Sequence, residues 1–418
     1  MTSPLSQPVK LPCGLVLPNR LAKAAMTEQM ADSQKLPRSA QFARSYGAWA
    51  DGGWGMILTG HVQINMRYLG ASDDLSIDPA LSQEEQVLAA FKSLAEIIRR
   101  NGTPAIMQLN HPGRQSPLGA GKRGFMDKTV APSAVPLDFG PGLISKAVTK
   151  LIFGTPREMS ISDIEDVVQR FANSARLAAA AGFDGVEIHA AHGYLLAQFL
   201  SAKTNLRDDA YGGSPKARTK IVVDIIRAIR AVVPQTFCLG LKLNSADQQP
   251  DRPQSRTELG DCIEQATAIA GAGLDFLEIS GGSYENPMMM RGHGEGQNAQ
   301  VSKRTVARES FFLDFAREIR KSLPDTVLMV TGGFRTRRGM EAAVAEGACD
   351  IVGIGRPAVL EPSLPRNIIL NREITVEQAK VCAKRVDTPW LLKQLGPRSV
   401  GAGYESTWYS RKIQSMGD

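Results

Sequence analysis

Residues 182–201 read GFDGVEIHAAHGYLLAQFLS. The apolar run Gly185 to Ile188 has the length and glycine punctuation of a buried strand, and it delivers His189, His192 and Tyr194 at its C-terminal end before a new apolar segment begins. In a parallel barrel or sheet the C-terminal ends of the strands are where ligands bind. Three side chains able to donate hydrogen bonds therefore direct attention to the other strand ends, although a single histidine in such a place is more often structural than catalytic.

Outward from this stretch the chain alternates strand and helix. Upstream, Val9 to Leu17 reads as a hairpin around Cys13-Gly14, followed by strand Leu21 to Met26, helix Pro37 to Ala50, strand Met56 to Gly60, helix Gln83 to Arg100 and strand Pro104 to Leu109. Asn110 to Met159 then breaks the rhythm with about fifty residues rich in Gly, Pro and Ser, leaving the strand end that presents His111 and Arg114. A connection of that length in a compact domain is expected to be functional, here an active-site excursion. A capping-box pattern, Ser162-x-x-Glu165, opens the helix that runs to Ala181. Downstream come helix Pro215 to Val233 and strand Cys238 to Leu243, helix Glu258 to Ala272 and strand Phe276 to Ile279, helix Phe311 to Leu323 and strand Thr326 to Val330, then helix Arg337 to Glu346 and strand Ile351 to Ile354. Eight strands alternating with helices predict an α/β fold of the (β/α)8 TIM-barrel type rather than a doubly wound sheet. The expected organisation is one domain over residues 1–418, with the barrel at about 17–362 and a C-terminal extension at about 370–418 whose Trp390, Tyr404, Trp408 and Tyr409 predict docking.

The composition bounds the function. With 43% hydrophobic and 22% charged residues in 418, the chain is ordinary globular protein able to bury a large core. Its net charge of +7 is spread without a Lys/Arg block, which argues against a nucleic-acid partner. No stretch approaches the roughly 20 apolar residues that span a bilayer, and the N-terminal residues lack a signal-peptide run, so a cytoplasmic location is expected. Five cysteines without a C-x-x-C pair argue against a disulfide framework, an iron-sulfur cluster or a cysteine zinc site, and no metal is expected. A small-molecule substrate is the expected partner, and a homo-oligomer is left open.

Polar groups and glycines gather at the expected strand ends: Ala25-Met26-Thr27, Gly60-His61, Gln108, His189, Lys242, Gly332-Gly333 and Gly355-Arg356. The last two units, VTGG (Val330 to Gly333) and GIGRP (Gly353 to Pro357), offer bare backbone N–H groups and an arginine to an anion, the usual place for phosphate on such a barrel. No G-x-G-x-x-G follows a strand and no Walker loop is present, so neither a second dinucleotide fold nor a P-loop is implied.

These segments resemble the old yellow enzymes, FMN-dependent NAD(P)H oxidoreductases on a (β/α)8 barrel. The likeness is carried by LPNRLAKAAMTE (Leu17 to Glu28), MQLNHPGRQS (Met107 to Ser116), the His-x-x-His-Gly-Tyr run joined to NLRDDAYGGSPKAR (Asn205 to Arg218), GLKLN (Gly240 to Asn244) and the TGGF and GIGRP pair. The resemblance implies ping-pong reduction of activated C=C bonds (enones, enals, nitroalkenes, maleimides) with NADPH or NADH as transient hydride donor. It implies an FMN site formed by Ala25, Met26, Thr27, Gly60, Gln108, Lys242, Gly332, Gly333, Gly355 and Arg356. In it Thr27 would bond the flavin carbonyl that gains charge on reduction, Gly60 and Gln108 would face the pyrimidine edge, and Gly333, Gly355 and Arg356 would hold the phosphate. His189 and His192 would polarise a substrate oxygen as an oxyanion hole does, while Tyr194 protonates the alpha carbon.

Three departures stand out. Lys242 occupies a position where the family usually has Arg, keeping the charge but losing the planar fork. Ala25 replaces a usual proline. Gln29, a substrate-binding candidate, stands where some relatives place Tyr or Arg, so substrate preference does not carry over. Period-two alternation turns Glu187 and Glu278 inward, and Lys242 is expected to neutralise one or both. Two rival readings remain: a metal-dependent hydrolase using His189, His192 and His61 or His111, and a non-catalytic flavin-binding barrel. The Met-rich stretch Asn286 to Gln297 is read as a lid over the same mouth.

Overall fold

A computed structural model describes residues 3–78, 84–140, 142–245, 254–281, 303–387, 389 and 400–416. Eight parallel strands, β1 (Leu21–Lys23), β2 (Met56–Gln63), β3 (Ala105–Asn110), β4 (Gly185–Ala190), β5 (Cys238–Asn244), β6 (Phe276–Ser280), β7 (Leu328–Thr331) and β8 (Ile351–Ile354), pair in sequence order, and β8 returns to β1, which also pairs with β2. The sheet is thus a closed barrel. Around it run α1 (Ala40–Ala50), α2 (Glu84–Arg99), α3 (Ile161–Ala180), α4 (Lys220–Arg230), α5 (Gln254–Ala270), α6 (Lys303–Ser322), α7 (Arg337–Ala345) and α8 (Val400–Gln414). The expected (β/α)8 architecture is the one observed.

The two faces of each strand explain the alternation. Outward residues such as Val186, Ile188 and Ala190 pack against the helices, whose apolar stripes recur at helical spacing, as Ile221, Val222, Ile225, Ile226 and Ile229 do in α4. Inward residues at the strand starts form a second core of Ala22, Met56, Leu58, Ile106, Phe276, Met329 and Ile351. The hairpin of Val9–Lys10 with Val16–Leu17 plugs this core from below through Val9, Leu11 and Leu17. Apolar packing therefore fills the lower barrel, and polar inward residues are confined to its upper, C-terminal half.

Several boundaries differ from the expected ones. β1 stops at Lys23, so Ala25, Met26 and Thr27 belong to the loop after it. β2 does not end at Gly60 but continues to Gln63, with an irregular register between Leu58 and His61. The capping box of α3 lies two residues earlier than Ser162/Glu165: Ser160 Oγ accepts the Asp163 N–H (3.2 Å), and the Asp163 carboxylate accepts the Ser160 N–H (2.8 Å). Arg157 pairs with that carboxylate and, by this hydrogen bond, holds Asp163 well below the usual range, which favours the shorter acid at the third position.

The long excursion is built, not loose. It contains helix Leu143–Ile152 and a parallel pairing of Val130–Ala131 with Arg157–Glu158. Two buried arginines anchor it through backbone carbonyls: Arg114 donates to Val135 and Pro136 (3.2 and 2.7 Å), and Arg207 to Pro132 and Met159 (3.0 and 2.6 Å). Of the aromatics expected to dock the tail, Tyr409 is fully buried and Trp408 packs half-buried against the core, whereas Tyr404 is exposed. On α8, Ser410 Oγ donates to the Thr27 carbonyl (2.9 Å) and Gln414 Nε2 to those of Glu28 and Gln29 (3.0 and 2.6 Å). Trp390 and Asn286 to Gln297 lie outside the described residues. Among the described residues no helix is long and apolar enough to cross a membrane.

At Gly185 an added Cβ would fall 2.3 Å from the Cys238 carbonyl oxygen of the neighbouring strand. Backbone cannot yield there as a side chain can. Gly185→Ala is expected to destabilise the protein by about 1–3 kcal/mol, read as a lower urea midpoint at unchanged slope.

Candidate active site

The strand ends surround a solvent-open cavity of about 260 Å³. Its deepest wall is a polar layer shared by β3 to β6. Lys242 Nζ, with a side chain 4% exposed, donates to Glu278 Oε1 at 2.5 Å, and Gln108 Nε2 donates to Glu187 Oε2 at 2.6 Å. Glu187 Oε1 and Glu278 Oε2 have no nitrogen partner, and the two carboxyl groups hydrogen-bond each other. Burial, then the Glu278 charge, pushes Glu187 well above the carboxylate range. Burial opposes ionisation of Glu278 too, but Lys242 and the Glu187 hydrogen bond hold it below the usual value. The layer therefore reads amide, carboxyl, carboxylate, ammonium. Lys242 neutralises Glu278, while burial and the Glu278 charge favour the protonated form of Glu187.

Above this layer stand His189, His192 and Tyr194. Their rings meet edge to face, with centroids 5.0 Å apart for His189–His192 and 4.8 Å for His189–Tyr194. The Ala191 N–H donates to His189 Nδ1 (3.2 Å), which leaves the His189 proton on Nε2. His192 Nε2 lies 3.1 Å from Ser280 Oγ. His192 has φ +59°, a left-handed conformation rare for a side chain of its size. It is held by its N–H donating to Asn244 Oδ1 (3.0 Å) and its carbonyl accepting from Gln115 Nε2 (3.1 Å). Burial first, and the positive charge of Lys242 and His61 next to it, keep both imidazoles well below their ordinary pKa. At neutral pH they are uncharged N–H donors.

A third histidine behaves oppositely. His61 lies against Tyr194 (centroids 5.7 Å) with Nε2 3.7 Å from Asp74 Oδ1. Burial disfavours its charge, but Asp74 overcomes this and raises the His61 pKa. Asp74 is itself fixed by Gln63 Nε2 (2.8 Å) and the N–H groups of Gly70 and Ala71 (2.9 and 3.0 Å).

The opposite end of the cavity is an arch of Gly332 and Gly333, with φ +113° and +85°, Gly355, Arg335 and Arg356. A Cβ on Gly355 would come within 3.3 Å of Met26 Sδ and narrow the cavity. Arg356 pairs with Glu405 of α8, and Ser406 and Tyr409 of the same helix complete the wall.

Of the residues singled out from sequence, Ala25, Met26, Thr27, Gln29, Gln108, His189, His192, Tyr194, Lys242, Gly332, Gly333, Gly355 and Arg356 line this one cavity. Gly60 does not. Its N–H donates to Glu28 Oε1 (2.8 Å) and Tyr46 Oη (3.1 Å) inside the bulge of β2, and an added Cβ there would strike Glu28. The excursion does not line the cavity either: His111 is buried, its pKa pulled down to about 3 by burial, and Arg114 and Gln115 brace neighbouring turns. Sequence reasoning missed the His61–Asp74 pairing, Arg335 and the α8 residues. Only Arg335, next to the TGGF run, carried a local signal. Among the described residues, the side chains whose ligand atoms converge within 4.8 Å as a metal site requires are Cys13, Cys238 and Asp275, at the other end of the barrel from these histidines.

Comparison with known proteins agrees in family and fold. Residues 4–374 match the family described as NADH:flavin oxidoreductase / NADH oxidase. An NADH-dependent flavin oxidoreductase of Talaromyces variabilis is 47% identical over 99% of this chain and 98% of its own length. One from Neonectria sp. is 50% identical over 97% of this chain but 53% of its own, so the chain spans about half of that relative. A solved old yellow enzyme homologue from Zymomonas mobilis, 22% identical, superposes with a TM-score of 0.69 over 95% of this chain and 98% of its own, a likeness of fold.

Two outcomes check the electrostatics. Glu187→Gln is expected to cost less than about 1 kcal/mol, because it replaces a neutral group, whereas Glu278→Gln strands a buried ammonium and costs about 3–5 kcal/mol in urea unfolding. For His61, the folded pKa exceeds the unfolded value of about 6.5, so its stabilisation is complete below that pH and fades as pH rises through the folded pKa. In Asp74→Asn the His61 ring resonance should titrate at lower pH, and this pH-dependent stability should vanish.

Proposed function

The chain belongs to the NADH:flavin oxidoreductase / NADH oxidase family, that of the old yellow enzymes, and from that premise we propose that it reduces C=C bonds conjugated to a carbonyl or nitro group. Its cofactor is FMN and its hydride donor a nicotinamide; the NADH-dependent relatives favour NADH. The cavity suits FMN: a charged, hydrogen-bonding wall at Gln108 and Lys242, a glycine-lined cradle at Gly332, Gly333 and Gly355 with Arg335 and Arg356 for a phosphate, and an opening between them. Thr27, Ala25 and Met26 would border the ring system from the β1 loop, while Lys242 would face its pyrimidine edge. Bound there, FMN would supply the hydride that adds to the beta carbon of the alkene.

The observation that carries the reading is the convergence of two neutral imidazoles and a phenol on one point of the cavity wall. His189 Nε2–H and His192 hold the substrate oxygen and stabilise the negative charge that develops there as hydride arrives, each such donor contributing about 2.7–4 kcal/mol in comparable sites. Neutral donors suit this task because they do not lose their proton to the oxygen they polarise. Tyr194 gives its phenolic proton to the alpha carbon; a phenol with pKa near 10 is weak, but adequate for a carbon gaining electron density. Gln29 lies at the rim, where it would contact the substrate's distal part.

In Tyr194→Phe, reduction of the flavin by NADH is expected to proceed at the wild-type rate while cyclohexenone reduction slows by at least about 10²-fold. Loss of the NADH half-reaction instead would remove Tyr194 from the proton-donor role. In the double variant His189→Ala/His192→Ala, phenolic ligands should no longer perturb the bound-flavin spectrum, and an unchanged titration would refute the oxygen-binding role.

A further inference from the structure

We propose that Cys13 and Cys238 form a peroxide-oxidisable thiol pair that closes to a disulfide and staples the N-terminal hairpin to the foot of β5. The two residues are far apart in the chain, yet their sulfurs and one carboxylate oxygen of Asp275 lie within 4.8 Å of one another beneath the barrel, at the end opposite the flavin cavity. Nothing in the proposed reaction uses them.

Their surroundings differ in a way that assigns roles. Cys13 sits in the turn of the hairpin and is partly exposed, so a small oxidant reaches it from solvent. Cys238 is buried and faces inward among Met56, Leu58 and Phe276. The Cys238 hydrogen bond to Cys13 lowers the Cys13 pKa, and burial keeps Cys238 well above the ordinary thiol value. Asp275 is aimed at the pair by its Oδ2 accepting from the Leu239 N–H (2.7 Å) and Arg230 (2.6 Å). A disulfide needs sulfurs about 2.05 Å apart, so closure requires a small displacement. The hairpin turn can supply it: Gly14, the next residue, has φ +92° and open space around it, whereas Cys238 is locked in the sheet.

With hydrogen peroxide as oxidant the step balances. The Cys13 thiolate attacks one peroxide oxygen, the O–O bond breaks, and the departing hydroxide takes a proton to leave as water, giving a sulfenic acid. Cys238 passes its proton to Asp275 and attacks the Cys13 sulfur. The S–O bond breaks and hydroxide departs with the proton from Asp275. Two thiols and one peroxide become one disulfide and two waters, a two-electron oxidation of sulfur. Such a bond is reversible by cellular thiols, consistent with redox-sensing rather than structural disulfides in reducing compartments.

The test uses the full chain with FMN bound, treated with hydrogen peroxide and digested without reductant. Expected are a Cys13–Cys238 linked peptide that dithiothreitol releases, the loss of two titratable thiols beyond any reaction of exposed Cys382, and a higher unfolding temperature. In Cys238→Ser, Cys13 should stop at a sulfenic acid that dimedone traps; in Cys13→Ser, Cys238 should stay reduced. Peroxide-treated wild type in which Cys13 is over-oxidised or unmodified while Cys238 remains a thiol would overturn the proposal. So would stoichiometric Zn²⁺ or Cd²⁺ binding, lost in Cys13→Ser, that shields both thiols from peroxide, because the cluster would then be a metal site.

Discussion

One buried ammonium governs the upper barrel. Burying a charge costs several kcal/mol unless a counter-charge and hydrogen bonds accompany it, and Lys242 meets that condition through Glu278 on the adjacent strand, to which the register pairs it directly. Glu187 and Gln108 are paired in the same way across β4 and β3. The register sets Lys242 opposite Glu278 and Gln108 opposite Glu187, and between β4 and β5 it sets Lys242 opposite His189; these polar side chains lie over a lower core of Met, Leu, Ile and Phe. The ammonium cannot sink into apolar packing, and Glu278 prevents it from swinging out. Its field then acts upward. Burial keeps His189 and His192 neutral and the Lys242 charge adds to it, so the ion pair that sets the charge at the cavity floor also reinforces the neutrality of the donors above it.

Lysine in place of a planar guanidinium has a geometric consequence here. An ammonium spends donors as a compact point charge, and one of the three N–H groups of Lys242 is committed to Glu278. A guanidinium would present a fork along a flat ring edge. The cavity retains positive charge at that edge while the orientation of any contact is set by Glu278 rather than by the cation's own plane.

How much of this was legible in the chain follows from what each feature depends on. Local periodicity announced the strands and helices, and the strand ends announced most of the cavity, because in a parallel barrel position along a strand determines height. Gly60 escaped that logic. A bulge turns the strand by one residue, so the glycine N–H serves Glu28 and Tyr46 while His61 takes the inward place. The excursion misled in another way. Its unusual composition looked functional, yet Arg114 donates to backbone carbonyls and shapes the scaffold, as Asn205, Arg207 and Arg218 do in the run that carries the family resemblance. His61 with Asp74, and Cys13 with Cys238, are tertiary meetings without any period or spacing to betray them.

The far end of the cavity depends on the two ends of the chain meeting. The loop after β1 is held by Ser410 and Gln414, and Arg356 shares its charge with Glu405, all from α8. A carboxylate beside Arg356 lowers the positive potential of the arch, so in the proposed FMN site the attraction for a phosphate would rest more heavily on Arg335 and on the backbone N–H groups of Gly332, Gly333 and Gly355 than a reading of GIGRP alone implies. Because Glu405 reaches Arg356 only when α8 is docked, the same contact couples the electrostatics of the phosphate end to the packing of Tyr409 and Ser406. The C-terminal helix is therefore part of the cavity wall, and in the proposed FMN site its seating would set how strongly that end holds the phosphate.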